Sequence, residues 1–302
     1  MNRDVYCIDQ TSMNLGESAL WSPGEQTIYW VDGLEPAIYR RNMQTHKNES
    51  WKMPDEVGCI GLRKKGGLVV ALRSGFYIFD PESGVLDSIC DPEADRPRSR
   101  FNDGKVDRRG RFWSGTVQEA LKVGTADTNA KYYDLVGNLW RLDVDLTAHR
   151  LAEGITMNNG LCWSPDDRRM YFSDSFTREV VIYDFDIETG NIANRRLFAS
   201  IPRTRGVCDG ATVDAEGYFW CSNIDGSCMT RYDPNGKVER IVDLPVSRPT
   251  SCCFGGPNLQ TLFITTARRR LSAEELGRQP LAGCLLAIDT EVPGLPEPEF
   301  LG

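Results

Sequence analysis

Six times along the chain a short apolar strand is followed by a tight turn and a second strand rich in aromatic and β-branched residues. The pairs are 19–22 with 27–32, 61–64 with 68–73, 105–108 with 111–117, 161–164 with 169–175, 211–214 with 218–224, and 252–255 with 261–267. The first strands begin at 19, 61, 105, 161, 211 and 252, so successive repeats differ by 42, 44, 56, 50 and 41 residues. A four-stranded propeller blade takes about 40–50 residues. Turn chemistry separates the strands, as in Pro23-Gly24, Arg109-Gly110 and Glu216-Gly217. Third strands end in an apolar residue and Asp, as in Phe79-Asp80, Tyr183-Asp184 and Ile288-Asp289. Fourth strands follow in five repeats, near 47–53, 84–90, 147–154, 193–200 and 238–245, and the sixth repeat lacks one. The unassigned N-terminal stretch Asp4–Ile8 supplies it, which closes the ring and removes a sheet edge. The expectation is an all-β fold: one six-bladed β-propeller domain over residues 1–302, with four antiparallel strands per blade. Two packed sandwiches would not explain six repeats with one outer strand missing. The only helical signal is short, Ser272–Leu276, with Ser272 as cap and Glu274-Glu275 in the first turn.

Strand direction alternates within a blade, so the 2–3 and 4–1 connections share one face. The long connections 91–102, 118–136, 201–209 and 268–282 all fall there, and long loops on a rigid ring are where function concentrates. Two residues before each first strand stand Glu17, Cys59, Asp103, Asn159, Asp209 and Thr250, aligned at the mouth of the central channel. Asp103-Gly104, Asn159-Gly160 and Asp209-Gly210 are, taken singly, ordinary turn pairs. Glu17 is not a turn residue, and its place in the same register favours a shared site. Three converging carboxylates repel one another, and a divalent cation relieves that. The donors are all oxygen, which suits Ca²⁺, Mg²⁺ or Mn²⁺, while Zn²⁺ also accepts carboxylates.

Composition removes competitors. Of 302 residues only His46 and His149 are histidine, which disfavours a His-rich zinc site or a histidine-based triad. Both fall near 3–4 turns on the other face, where a surface role is expected. The net charge of -8 argues against a nucleic-acid partner. No apolar run reaches membrane-spanning length, and no apolar stretch follows Met1–Asp4, so neither a membrane partner nor a signal peptide is expected and the location is read as cytoplasmic. The ten cysteines show no metal-type pairs and lie mostly in apolar runs, so they are read as reduced and buried.

At several of these residues the chain resembles the gluconolactonase / senescence marker protein (regucalcin) / luciferin-regenerating enzyme family. The resemblance rests on Gly16–Trp21, Arg100–Asp107, Gly110–Thr116, Asn159–Ser164, Asp209–Asp214, Thr250–Gly256 and Arg278–Gly283, in order along the chain. It implies a six-bladed propeller with one divalent metal bound by Glu17, Asn159 and Asp209, three of the six aligned positions. It implies substrate contacts from Arg100 and Asn102. After Thr116 the chain departs from the family, with Glu119-Ala120 where an acidic pair is expected, and Glu119 is assigned the contact in its place. The implied reaction is hydrolysis of a sugar lactone to the aldonic acid. The metal would polarise the lactone carbonyl and lower the pKa of a water, with Asp209 as candidate general base. Two alternatives stay open: a non-enzymatic calcium-binding or interaction propeller, and a hydrolase of another ester such as a phosphotriester. The expected partner is a small-molecule sugar lactone, and the chain is expected to be a monomer or weak homo-oligomer.

Overall fold

Short amphipathic strands joined by tight turns pair with their sequence neighbours first, and nearly every pairing here is of that kind. The structure, a computed structural model, describes residues 5–118 and 137–302. Among the described residues, 24 strands form six four-stranded antiparallel sheets. The innermost strands are Gly16–Ser22, Val57–Leu62, Ser99–Val106, Asn158–Trp163, Val207–Val213 and Pro249–Gly255, here numbered blades 1 to 6. Each touches the innermost strand of the next blade, and the first touches the sixth, so the sheets form a six-bladed β-propeller. In blade 6 the outer strand is Tyr6–Asp9, paired antiparallel with Leu285–Asp289, as the missing fourth strand required.

The core is divided among the gaps between blades. Blades 1 and 2 enclose Leu20, Tyr29, Ile60 and Val70, and blades 3 and 4 enclose Trp113, Leu161, Trp163 and Phe172. Blade 6 returns to blade 1 through Phe263, which stacks on Trp21 at 5.6 Å between ring centres. Sheets packed through such gaps interdigitate side chains along alternating strand positions, so the apolar alternation read from the sequence is the gap-filling face.

Three features differ from expectation. The innermost strands begin three to six residues earlier than the apolar repeat suggested, so the aligned positions lie inside strands rather than at their starts. Each of these strands also loses register at that point: between Glu17 and Leu20, Val57 and Cys59, Phe101 and Gly104, Asn159 and Cys162, Cys208 and Ala211, and Pro249 and Cys252. Bulges break the period-2 pattern and re-aim side chains, which is why the pattern seemed to start later. The third difference is the C-terminal segment, which crosses the face opposite the long loops. The amide of Ala215 donates to the Pro293 carbonyl at 2.9 Å, that of Phe300 to the Leu62 carbonyl at 2.7 Å, and that of Leu301 to the Gly110 carbonyl at 3.1 Å. Phe300 is fully buried there.

The short helix is Ala273–Arg278, capped by Ser272, with Glu275 completing a capping box. All ten cysteines are free, eight of them buried. Among the described residues no helix is long and apolar enough to cross a membrane.

Candidate active site

Two of the ring strands are approached by chain segments held in the same way. In blade 1 the Asp32 carboxylate accepts the amides of Asn14 at 2.6 Å and Leu15 at 3.2 Å, just ahead of Glu17. In blade 4 the Asp174 carboxylate accepts those of Thr156 at 2.8 Å and Met157 at 3.1 Å, just ahead of Asn159. Both aspartates are buried, so charge-assisted bonds to otherwise orphaned amides fix where each strand starts. The residue after each site residue then turns left-handed: Ser18 has φ 51° and Gly160 has φ 61°. That conformation makes the bulge, and it favours glycine. At Gly104 a Cβ would lie 2.2 Å from the Trp113 carbonyl oxygen, so the Asp-Gly pair there answers to close strand approach rather than to a turn.

Glu17, Asp103, Asn159 and Asp209 all lie on innermost strands, the three carboxylates close enough to repel one another, and their environments differ. Asp103 is already satisfied by the chain, accepting the amides of Gly104 at 2.9 Å and Leu161 at 3.2 Å. Burial pushes its pKa up to about 6, against the pull of Lys105 and these amides. Glu17 and Asp209 both rise well above the ordinary carboxylate range. Burial is the larger cause in each; Asp209 and Asp103 repel Glu17, and Asp103 repels Asp209. Arg100 opposes the rise at both residues, and Arg248 at Asp209. Among the described residues no Lys or Arg forms an ion pair with Glu17 or Asp209. Cys59 and Thr250, the other two aligned residues, are fully buried and bond within the scaffold, Cys59 to Ser114 at 3.2 Å and Thr250 to Thr265 at 2.9 Å.

The donor set fits a hard divalent cation. Two mutually repelling carboxylates, half-buried Glu17 and buried Asp209, with no ion-pair partner among the described residues call for a counter-charge, and Asn159 adds a neutral oxygen. Among the described residues no cluster of three or more His, Cys, Asp or Glu side chains is suited to a metal, so such a site would rest on two carboxylates and one amide. Water and substrate would complete the coordination.

Arg100 and Asn102 lie on the innermost strand of blade 3, not in the long loop where the sequence put them. As alternate residues they share a face. The Arg100 guanidinium donates from Nη1 to Asn102 Oδ1 at 2.8 Å and to the Phe101 carbonyl at 3.1 Å, and among the described residues Nε and Nη2 have no acceptor. Asn102 Nδ2 donates to Asn159 Oδ1 at 2.9 Å, joining the expected substrate contacts to the expected ligand set. Glu119 lies outside the described residues. His149 sits beside Asp143 at 3.3 Å, half-exposed, and His46 is exposed in a turn, both away from the ring. Sequence reasoning missed Lys105, which reaches Glu297 of the crossing C-terminal segment at 3.0 Å in the lower channel. A lysine beside Asp103-Gly104 on an otherwise inward-facing strand was the available signal.

Residues 15–268 match the SMP-30/Gluconolactonase/LRE-like region as a family. The chain is 37% identical over 303 residues to a Pseudomonas putida 6-deoxy-6-sulfogluconolactonase, covering 100% of both proteins. It is 34% identical to a regucalcin of Danio rerio, over 99% of this chain and 98% of that one. Among solved structures it resembles a calcium-binding protein, regucalcin, of Agrobacterium tumefaciens, with a TM-score of 0.89 and 25% identity, covering 99% of this chain and 97% of that one.

Proposed function

The chain belongs to the SMP-30/gluconolactonase/LRE-like family, and from that membership we propose that it hydrolyses a sugar lactone to the aldonic acid, acting as one propeller domain with one divalent metal. The observation that supports the reading is a pair of mutually repelling carboxylates, half-buried Glu17 and buried Asp209, with no ion-pair partner among the described residues, together with Asn159, which Asn102 links to Arg100. A divalent cation held by Glu17, Asn159 and Asp209, whether Ca²⁺, Mg²⁺, Mn²⁺ or Zn²⁺, would polarise the lactone carbonyl and acidify water.

The chain's own groups do the rest. Arg100 and Asn102 bind ring hydroxyls and set the face of the lactone presented to the site, with Glu119 proposed as a third contact. Asp209 accepts a proton from water as its oxygen bonds to the lactone carbonyl carbon. When the bond between the carbonyl carbon and the ring oxygen breaks, the same carboxyl returns the proton to that oxygen. One water is consumed, and the product is an open-chain hydroxy acid. No histidine or nucleophilic Ser or Cys is needed.

The test is aldonolactone hydrolysis by the natural chain and by Asp209→Ala, each supplied with metal. Loss of nearly all turnover in the variant is expected, and equal rates refute the assignment. The same measurement on a phosphotriester and an aryl ester defines the ester class.

A further inference from the structure

We infer that Ser175 is a positioning residue that decides which atom Asn159 turns toward the channel; the inference rests on Asn159 being a metal ligand, as proposed above. Ser175 directly follows the second strand of blade 4 and is 4% exposed. It sits within a chain of hydrogen bonds whose direction is fixed at both ends. At one end is Arg100, whose guanidinium can only donate, so Asn102 must turn Oδ1 toward it at 2.8 Å. Asn102 Nδ2 then donates to the Asn158 carbonyl at 2.8 Å and to Asn159 Oδ1 at 2.9 Å. That leaves Asn159 Nδ2 to donate to Ser175 Oγ at 2.7 Å. Ser175 gives its one proton to the Cys208 carbonyl at 2.7 Å, a group that only accepts.

Reversing any one amide would set donor against donor and acceptor against acceptor. With Asn159 2% exposed, water cannot readily repair that, so the penalty is that of buried unpaired groups. The result is one orientation of Asn159, with Oδ1 on the channel side and a second lone pair open to a cation. The chain also links blades 3, 4 and 5 and ends on the carbonyl of the residue before Asp209. Ser175 therefore touches neither metal nor substrate, yet sets two of the groups that do.

The experiment is calorimetric titration of the metal-free full chain with Ca²⁺, repeated with Mn²⁺, alongside Asn159→Ala, Ser175→Ala, Ser175→Thr and Asn102→Asp. Ser175→Ala is expected to weaken binding by about 10–100-fold, the range for residues that orient a metal ligand. Ser175→Thr, which keeps the hydroxyl, is expected to restore most of it. Asn102→Asp adds a negative charge beside the cation, which by Coulomb attraction alone would tighten binding. It also sets an acceptor against Asn159 Oδ1, so weaker binding is expected. If Ser175→Ala and Asn102→Asp bind as the natural chain does while Asn159→Ala does not, the inference about Ser175 is overturned and the ligand assignment stands. A folded Ser175→Thr that stays as weak as Ser175→Ala also overturns it. If Asn159→Ala binds normally, the ligand assignment itself falls. Should Ser175→Ala show no melting transition, Asn102→Asp decides.

Discussion

Replacing Lys105 with methionine removes the partner of a largely buried carboxylate, Glu297. Lys105 and Glu297 are 3.0 Å apart, with side chains 14% and 12% exposed. Burial alone would pull the lysine's pKa down, but the Glu297 carboxylate overrides it and holds the ammonium charged. In Lys105→Met the stranded carboxylate escapes by taking up a proton. From an ordinary glutamate value of about 4.3, that costs about 1.4 kcal/mol per pH unit, or about 3.7 kcal/mol at pH 7 and about 1 kcal/mol at pH 5. Measured losses for breaking buried pairs, about 3–5 kcal/mol, bracket the neutral figure. Unfolding entropy near about 2.1 cal/mol/K per residue gives about 0.6 kcal/mol/K for 302 residues. Lys105→Met is therefore expected to lower Tm by about 6 °C at pH 7 and by about 1–2 °C at pH 5. Adding Glu297→Leu should recover most of the loss at pH 7 and change little at pH 5, leaving only what Asp103 loses when Lys105 goes. Calorimetric melting of the three variants at both pH values reads this directly. A loss equal at pH 5 and pH 7, unrelieved in the double variant, would show that packing rather than charge holds the pair and would refute the reasoning.

In the metal-free chain Asp103 titrates near 6 instead of 3.8, so the stability it contributes is complete below 3.8 and is lost as pH rises through about 6. Urea unfolding should show stability falling by up to about 3 kcal/mol between pH 4 and pH 7 from this group alone, with Glu17 and Asp209 adding in the same direction and saturating metal flattening the profile. Phe300→Ala empties a fully buried site under the crossing segment and is expected to cost about 3–5 kcal/mol, seen as a Tm lower by about 5–8 °C. Deleting residues 1–9 uncovers the edge of Leu285–Asp289, and sedimentation should then show more self-association than the intact chain shows under the same conditions. Arg100→Lys keeps the charge but loses the planar fork, so KM for the lactone should rise by roughly tenfold with a smaller change in kcat.

The ring was legible because each gap between blades needs apolar residues at alternate positions, and hairpin turns leave strong local marks. Closure by Tyr6–Asp9 followed from counting strands, since only one edge lacked a partner. The aligned ring positions were also legible, because Glu17, Asp103, Asn159 and Asp209 recur at one offset from the apolar run. Their place inside strands was not, since a bulge interrupts the alternation by which a strand is recognised. Arg100 and Asn102 were misplaced into a loop for the same reason. Ser175 gave no signal, as a serine after a strand is unremarkable until its acceptor, Cys208 in the next blade, is known. The C-terminal segment, with Pro293, Pro296 and Pro298, lacks strand patterning, and what anchors it is the backbone of blades 2, 3 and 5 and, through the Leu259 carbonyl that accepts from the Gly294 amide, blade 6.

That segment gives the propeller a floor. With Phe300 buried within it and Glu297 reaching Lys105 in the channel, it covers the end of the channel away from the long loops, so the proposed site would be entered from the loop side. Substrate and product acid would then share that entrance. If Arg100 meets the lactone as proposed, the departing carboxylate would pass the same guanidinium, and the acid would then compete with its own precursor.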